Sequence, residues 1–100
     1  MAVPNFNEKT LLRHIGAVVK FIREEKELTQ AEFANQCGFC RSFIAQIEKE
    51  HRNISILNLH KLALKNNLNI ADFLPYDKTL AKPKFMKALK AKMAKSRNSK

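Results

Sequence analysis

The chain has 100 residues, is 45% hydrophobic and carries a formal net charge of +10 at pH 7. That length suits one domain around one core. No apolar run approaches the roughly 20 residues of a membrane span, and two cysteines are too few for a secreted disulfide scaffold.

The charge is uneven. Residues 1–74 hold ten Lys/Arg against eight Asp/Glu, whereas residues 75–100 hold nine against one. A near-neutral body with a basic tail points to an anionic partner, either nucleic acid or a membrane surface. The plainer alternative is a solvated tail that only aids solubility. The N-terminus, MAVPNFNEKT, has acidic Glu8 and no apolar signal segment, so the expected compartment is the cytoplasm.

Residues 1–7, with Pro4 and two Asn, read as a loose arm. From Glu8 the pattern turns helical. Leu11, Leu12, Ile15, Val18, Val19 and Ile22 recur at steps of three and four, which predicts an amphipathic first helix ending near Lys26. Glu27 follows where a helix end favours glycine. Thr29 is a good N-cap, and Glu32 three residues later completes a capping box. The second helix is expected over 30–37, ended by Gly38, which adopts positive φ at little cost. Phe39 plugs the turn.

A third helix is expected over 41–49, with Ile44 and Ile47 inward and Arg41, Ser42, Ala45 and Gln46 outward. Ser55 caps a fourth helix, 56–66, buried along Leu59, Leu62 and Ala63. Asn69 caps a short fifth, Ile70 to Leu74, which Pro75 stops. Residues 75–82 read as a linker. Pro83 opens a sixth helical stretch, with Phe85, Met86, Leu89 and Met93 spaced among lysines. The fold class is therefore all-α. It comprises a five-helix body over 8–76 and a basic extension, helix or tail, over 77–100.

A short helix behind a tight turn protrudes, and a helix fits the B-DNA major groove, about 12 Å wide. Arg41 can chelate guanine and Gln46 can pair with adenine. Ser42 can touch a base or a phosphate. Phe43 can meet a thymine methyl or pack on the second helix. Gln30, at the start of the second helix, can extend a phosphate clamp, and Arg52 and Asn53 can do the same on the far side.

At these residues the sequence resembles the Cro/phage-repressor, or XRE, helix-turn-helix family. The motif is TQAEFANQCGF followed by RSFIAQIE, with Ile15-Gly16, Ile22-Arg23, Leu28, Leu59 and Leu62-Ala63 as further anchors. The run RSFIAQIEKEHRNISI is similar to the controller proteins of restriction–modification systems. The resemblance implies a repressor-like DNA-binding domain over 8–76 with its helix-turn-helix at 29–49, a homodimer on a palindromic or repeated operator, a phosphate clamp at Gln30, and base reading by the third helix. It also implies an ion pair between Arg23 and Glu48. Glu27 and Glu50 stand where the family carries glycine, and Asn66 stands where a buried leucine is usual. Either the fourth helix ends early, or Leu64 and Leu68 fill that space.

Leu68, Ile70, Phe73, Leu74 and Tyr76 form the expected dimer surface, since the fifth helix is too short and apolar to serve one core alone. An activator would also contact RNA polymerase. The lone Cys37/Cys40 pair lacks further metal ligands at zinc spacing. No nucleophile with an oriented base and no phosphate loop is present, so neither an enzyme nor a cofactor is expected. The segment 83–95 can pack its Phe85/Leu89/Met93 edge on the domain or across a dimer and point lysines at DNA, stay free, or lie on a membrane or in a partner groove. Two rival functions stand. One is a non-specific basic nucleic-acid binder; the other is an antitoxin-like module whose partner covers the apolar edge of 83–95.

Overall fold

A computed structural model describes residues 8–49, 52–74 and 87–93. In chain order these are α1 (Glu8–Glu25), α2 (Gln30–Cys37), α3 (Arg41–Glu48), α4 (Ile56–Lys65) and a 3-10 turn (Ile70–Phe73). A further helix occupies residues 87–93. There is no strand among the described residues. The expected all-α fold holds, with the fifth helix reduced to one 3-10 turn. The arm 1–7, the linker 75–82 and Tyr76 lie outside the described residues.

One apolar cluster joins these elements. Ile15, Val18, Val19 and Ile22 of α1 meet Phe33, Ala34 and Cys37 of α2, Ile44 and Ile47 of α3, and Leu59, Leu62 and Ala63 of α4. The stripe predicted on α1 is thus core from Ile15 to Ile22, while Leu11 is half-buried against it and Leu12, also half-buried, lines a cavity. Gly16 lets α1 and α3 meet closely: a Cβ there would lie 2.5 Å from the Ile47 carbonyl oxygen and 3.3 Å from that of Glu48.

Three of the helices end in the same way. After α1, Glu27 N–H donates to Glu24 and Leu28 N–H to Arg23. After α2, Gly38 donates to Asn35 and Phe39 to Ala34, and after α4, Asn67 donates to Leu64 and Leu68 to Ala63. Each pair is a Schellman cap, which requires a left-handed residue. Gly38 fills this role at φ +80°, but Glu27 (φ +56°) and Asn67 (φ +59°) do so as non-glycines. The turn at Glu27 therefore keeps the left-handed shape despite its side chain. Glu27→Gly is expected to stabilise the fold by about 1 kcal/mol, read as a rise in the thermal midpoint.

Asn66 resolves the departure in α4. The helix ends at Lys65, and Asn66 is buried. Its Nδ2 donates to Leu62 O at 2.8 Å and lies 3.6 Å from Cys37 Sγ, while Lys26 Nζ donates to its Oδ1. A polar residue is tolerated there because its hydrogen bonds are made. Leu68 fills the adjoining core, whereas Leu64 is 59% exposed.

The 3-10 turn packs on α1 and α4. Leu68 and Phe73, expected at a subunit surface, are instead buried within one chain at 4% and 0% exposure. The fifth element is not surplus to a single core, because the turn at Asn66-Asn67 folds both side chains back into it. Ile70 and Leu74 are only half-buried.

The basic C-terminal helix also joins this core. Leu89 is 3% and Met93 9% exposed. Lys92 Nζ pairs with the buried carboxylate of Asp72, whose other oxygen accepts from Asn69 N–H at 2.9 Å. Lys90 lies 3.5 Å from Glu25.

His14 is buried on α1, and burial lowers its pKa. The unfolded chain therefore binds more protons at mildly acid pH, and ∂ΔG/∂pH is positive there. This contribution to stability is complete above about pH 6.5, the ordinary histidine value, and is lost as pH falls toward the folded-state pKa. Thermal midpoints between pH 5 and 7.5 should show that slope, and His14→Gln should flatten it.

Candidate nucleic-acid interface

The helix-turn-helix is built by local signals. Thr29 Oγ1 accepts from Glu32 N–H at 3.1 Å and Glu32 Oε1 accepts from Thr29 N–H at 2.8 Å, which closes the capping box. Gly38 then turns the chain, and α3 begins at Arg41 with Cys40 as its N-cap.

The inner face of α3 is buried through Phe43, Ile44 and Ile47, while Arg41, Ser42, Gln46 and Lys49 are exposed. Ser42, Gln46 and Lys49 follow one another at helical spacing, so the outward stripe extends one turn beyond the expected reading residues. Lys49 was legible in that spacing.

Glu48 anchors the C-terminal end of α3. Arg23 Nε donates to its Oε2 at 2.8 Å and Nη2 to its Oε1 at 3.0 Å, while Nη1 reaches Leu28 O at 2.9 Å. The carboxylate is 5% exposed. A fork-to-fork pair of this kind fixes direction as well as distance, and the hydrogen bond to Glu48 raises the Arg23 pKa. Gln30 Nε2 adds a third donor to Glu48, at 3.1 Å. The Gln30 amide thus faces the anchor, and its backbone opens α2.

A second construction runs along the other side of the turn. Lys61 Nζ lies 4.9 Å from the Phe39 ring centre and donates to Gly38 O at 3.3 Å. Phe39 stacks on Phe43 with centroids 4.7 Å apart, and the Arg52 guanidinium carbon lies 4.7 Å from the centre of the Phe43 ring. Two cations and two rings thus join α4, the turn, α3 and the segment after it. Phe43 is 7% exposed, and the ring contacts it makes are with Phe39 in the turn and with Arg52. Arg52 Nη1 also donates to Gln46 Oε1 at 3.0 Å. Asn53 stands apart, lining a cavity of about 340 Å³ with Glu8, Lys9, Leu11 and Leu12.

Both cysteines are free thiols. Burial raises the pKa of Cys37. The exposed Cys40 lies 3.3 Å from Ser42 Oγ, a contact that lowers its pKa. No cluster of three or more His, Cys, Asp or Glu that could hold a metal occurs among the described residues. No described helix is long and apolar enough to cross a membrane.

A short helix behind a tight turn, held by a part-buried ion pair and with its polar face open, defines a helix-turn-helix domain. The chain belongs to that family, in its XRE-type branch: residues 16–75 match the helix-turn-helix domain. It is 37% identical over 49 residues to the immunity repressor protein of Bacillus phage phi105, covering 49% of this chain and 34% of that protein. It is 33% identical over 58 residues to control protein C.MunI of Mycoplasma sp, covering 57% of this chain and 78% of that one. The crystal structure of the hypothetical transcription factor NHTF from Neisseria shares the fold, with TM-score 0.64 and 22% identity over 91% of this chain and 95% of that one. The matched family is one of transcription regulators, and the chain spans only about a third of the length of the phage repressor it matches.

Proposed function

We propose that the chain is a sequence-specific regulator that binds an operator in duplex DNA as a homodimer, with α3 in the major groove. The observation that carries this reading is the contrast between the two faces of α3. Its inner face and its terminal Glu48 are locked, while Arg41, Ser42 and Gln46 stand exposed. Arg41 and Gln46 read bases, Ser42 reads or positions, and Arg52, Asn53 and the first turn of α2 at Gln30 meet phosphates.

The dimer forms through the apolar surface that one chain leaves uncovered. That surface includes the half-buried Ile70 and Leu74. Two copies set their recognition helices about one DNA turn apart.

Similarity to control protein C.MunI and the run from Arg41 to Ile56 support a role as controller of a restriction–modification operon. In that role, an activating form also touches RNA polymerase. The antitoxin-like alternative loses its main support, because Leu89 and Met93 are covered by the chain's own core.

The test is selection from random duplexes, with sedimentation to read the stoichiometry. A palindromic or repeated site bound by two chains is expected, and equal affinity for all duplexes would leave only a non-specific basic binder. Arg41→Ala should cost about 1–3 kcal/mol on the selected site and relax one base position. Equal weakening on random DNA would make Arg41 a phosphate contact.

A further inference from the structure

A free glutamine on a recognition helix is suited to adenine. Its carbonyl oxygen accepts from N6–H while its amide donates to N7. Gln46 is not free. Arg52 Nη1 lies 3.0 Å from its side-chain oxygen. A guanidinium only donates, so the atom facing it must be the carbonyl oxygen, and the amide orientation of Gln46 is assigned by its partner. Arg52 is itself positioned by the Phe43 ring, 4.7 Å from its guanidinium carbon, and that ring is stacked on Phe39. The pair is therefore built from the aromatic base of the turn outward to the exposed edge.

We propose that Gln46 and Arg52 act as one reading unit with a donor edge, selecting guanine rather than adenine at the base pair that Gln46 meets. The inference rests on α3 being the DNA-reading helix. One oxygen lone pair of Gln46 is engaged, and the other lies beside a full positive charge. An incoming adenine N6–H donor is repelled there. Guanine offers two acceptors, O6 and N7, and these are met by the Gln46 amide N–H and the neighbouring guanidinium N–H groups. Donation from Arg52 also polarises the Gln46 amide and strengthens it as a donor. Arg52 is thus a specificity-determining residue as well as a cation near the backbone.

The experiment is binding-site selection on random duplexes with the full chain and with Gln46→Ala, Arg52→Ala and Arg52→Lys, each melted thermally to verify folding. The native chain should prefer guanine about tenfold or more at the position whose preference Gln46→Ala abolishes. Arg52→Ala should move that position toward adenine. Arg52→Lys should also lose the guanine preference, since lysine keeps the charge but not the planar fork. A native preference for adenine there, or an unchanged guanine preference in both Arg52 variants, would overturn the proposal while leaving a sequence-specific regulator intact. Enrichment of no sequence at all would overturn both.

Discussion

Replacing Gly16 with alanine is expected to unseat the recognition helix. The added Cβ would stand 2.5 Å from the Ile47 carbonyl oxygen, with the Glu48 backbone at 3.3–3.4 Å. These are main-chain atoms in the last turn of α3, so no side chain can swing away to make room. The helices must separate, and separation works against the Arg23–Glu48 pair beside the same contact. Overpacking of this kind costs roughly 1–3 kcal/mol and occasionally more. With a backbone obstacle we expect about 3 kcal/mol, a fall in thermal midpoint of roughly 12–24 °C. Specific DNA binding should fall more than non-specific binding, because the misplaced element is the one proposed to read bases. A midpoint within a degree or two of the native chain would show that α1 and α3 do not meet at Gly16.

Much of the frame was readable from local signals. The capping box at Thr29 and Glu32, the left-handed end at Gly38 and the stripe on α1 each depend on residues within two turns of one another, and the structure places them as spacing predicts. The Arg23–Glu48 pair followed only from the resemblance, since spacing says nothing about partners 25 residues apart. The same limit hid other long-range contacts. Nothing near Asn66 in sequence announces Cys37 and Lys26 as its partners. Phe39 is a near neighbour of Phe43, but nothing in the spacing announces that Arg52 will set its guanidinium over the Phe43 ring. For Gln30, the exposed-clamp reading overlooked that Glu48 has room for a third donor. The dimer surface was misjudged at Leu68 and Phe73 because counting apolar residues in a short segment does not say which way the preceding turn sends them. The turn here depends on a left-handed asparagine, Asn67.

Leu89→Ala is expected to lower stability by about 2–3 kcal/mol while leaving the salt dependence of DNA binding unchanged. The basic segment had an electrostatic reading, in which its lysines gather phosphates, and a packing reading, in which its apolar edge lies on the domain. Leu89 at 3% exposure and Met93 at 9% make the helix 87–93 part of the core, and truncating a buried leucine costs about 2–5 kcal/mol. The lower end fits a site where one short helix can settle into the gap. The helix is also tied by charge. Asp72 is buried, with Lys92 as its cationic partner, so removing the helix strands a carboxylate as well as exposing the core. Deleting residues 78–100 therefore changes two things at once, whereas Leu89→Ala keeps every lysine and tests packing alone. If the tail also contacts phosphates, the deletion should reduce the slope of log K against log salt by about 0.9 per lost contact, and Leu89→Ala, measured below its melting point, should not. A deletion that destabilises as expected yet leaves the slope intact would assign the C-terminal helix to the fold and withdraw its lysines from the DNA. An unaltered midpoint in Leu89→Ala would remove the helix from the core.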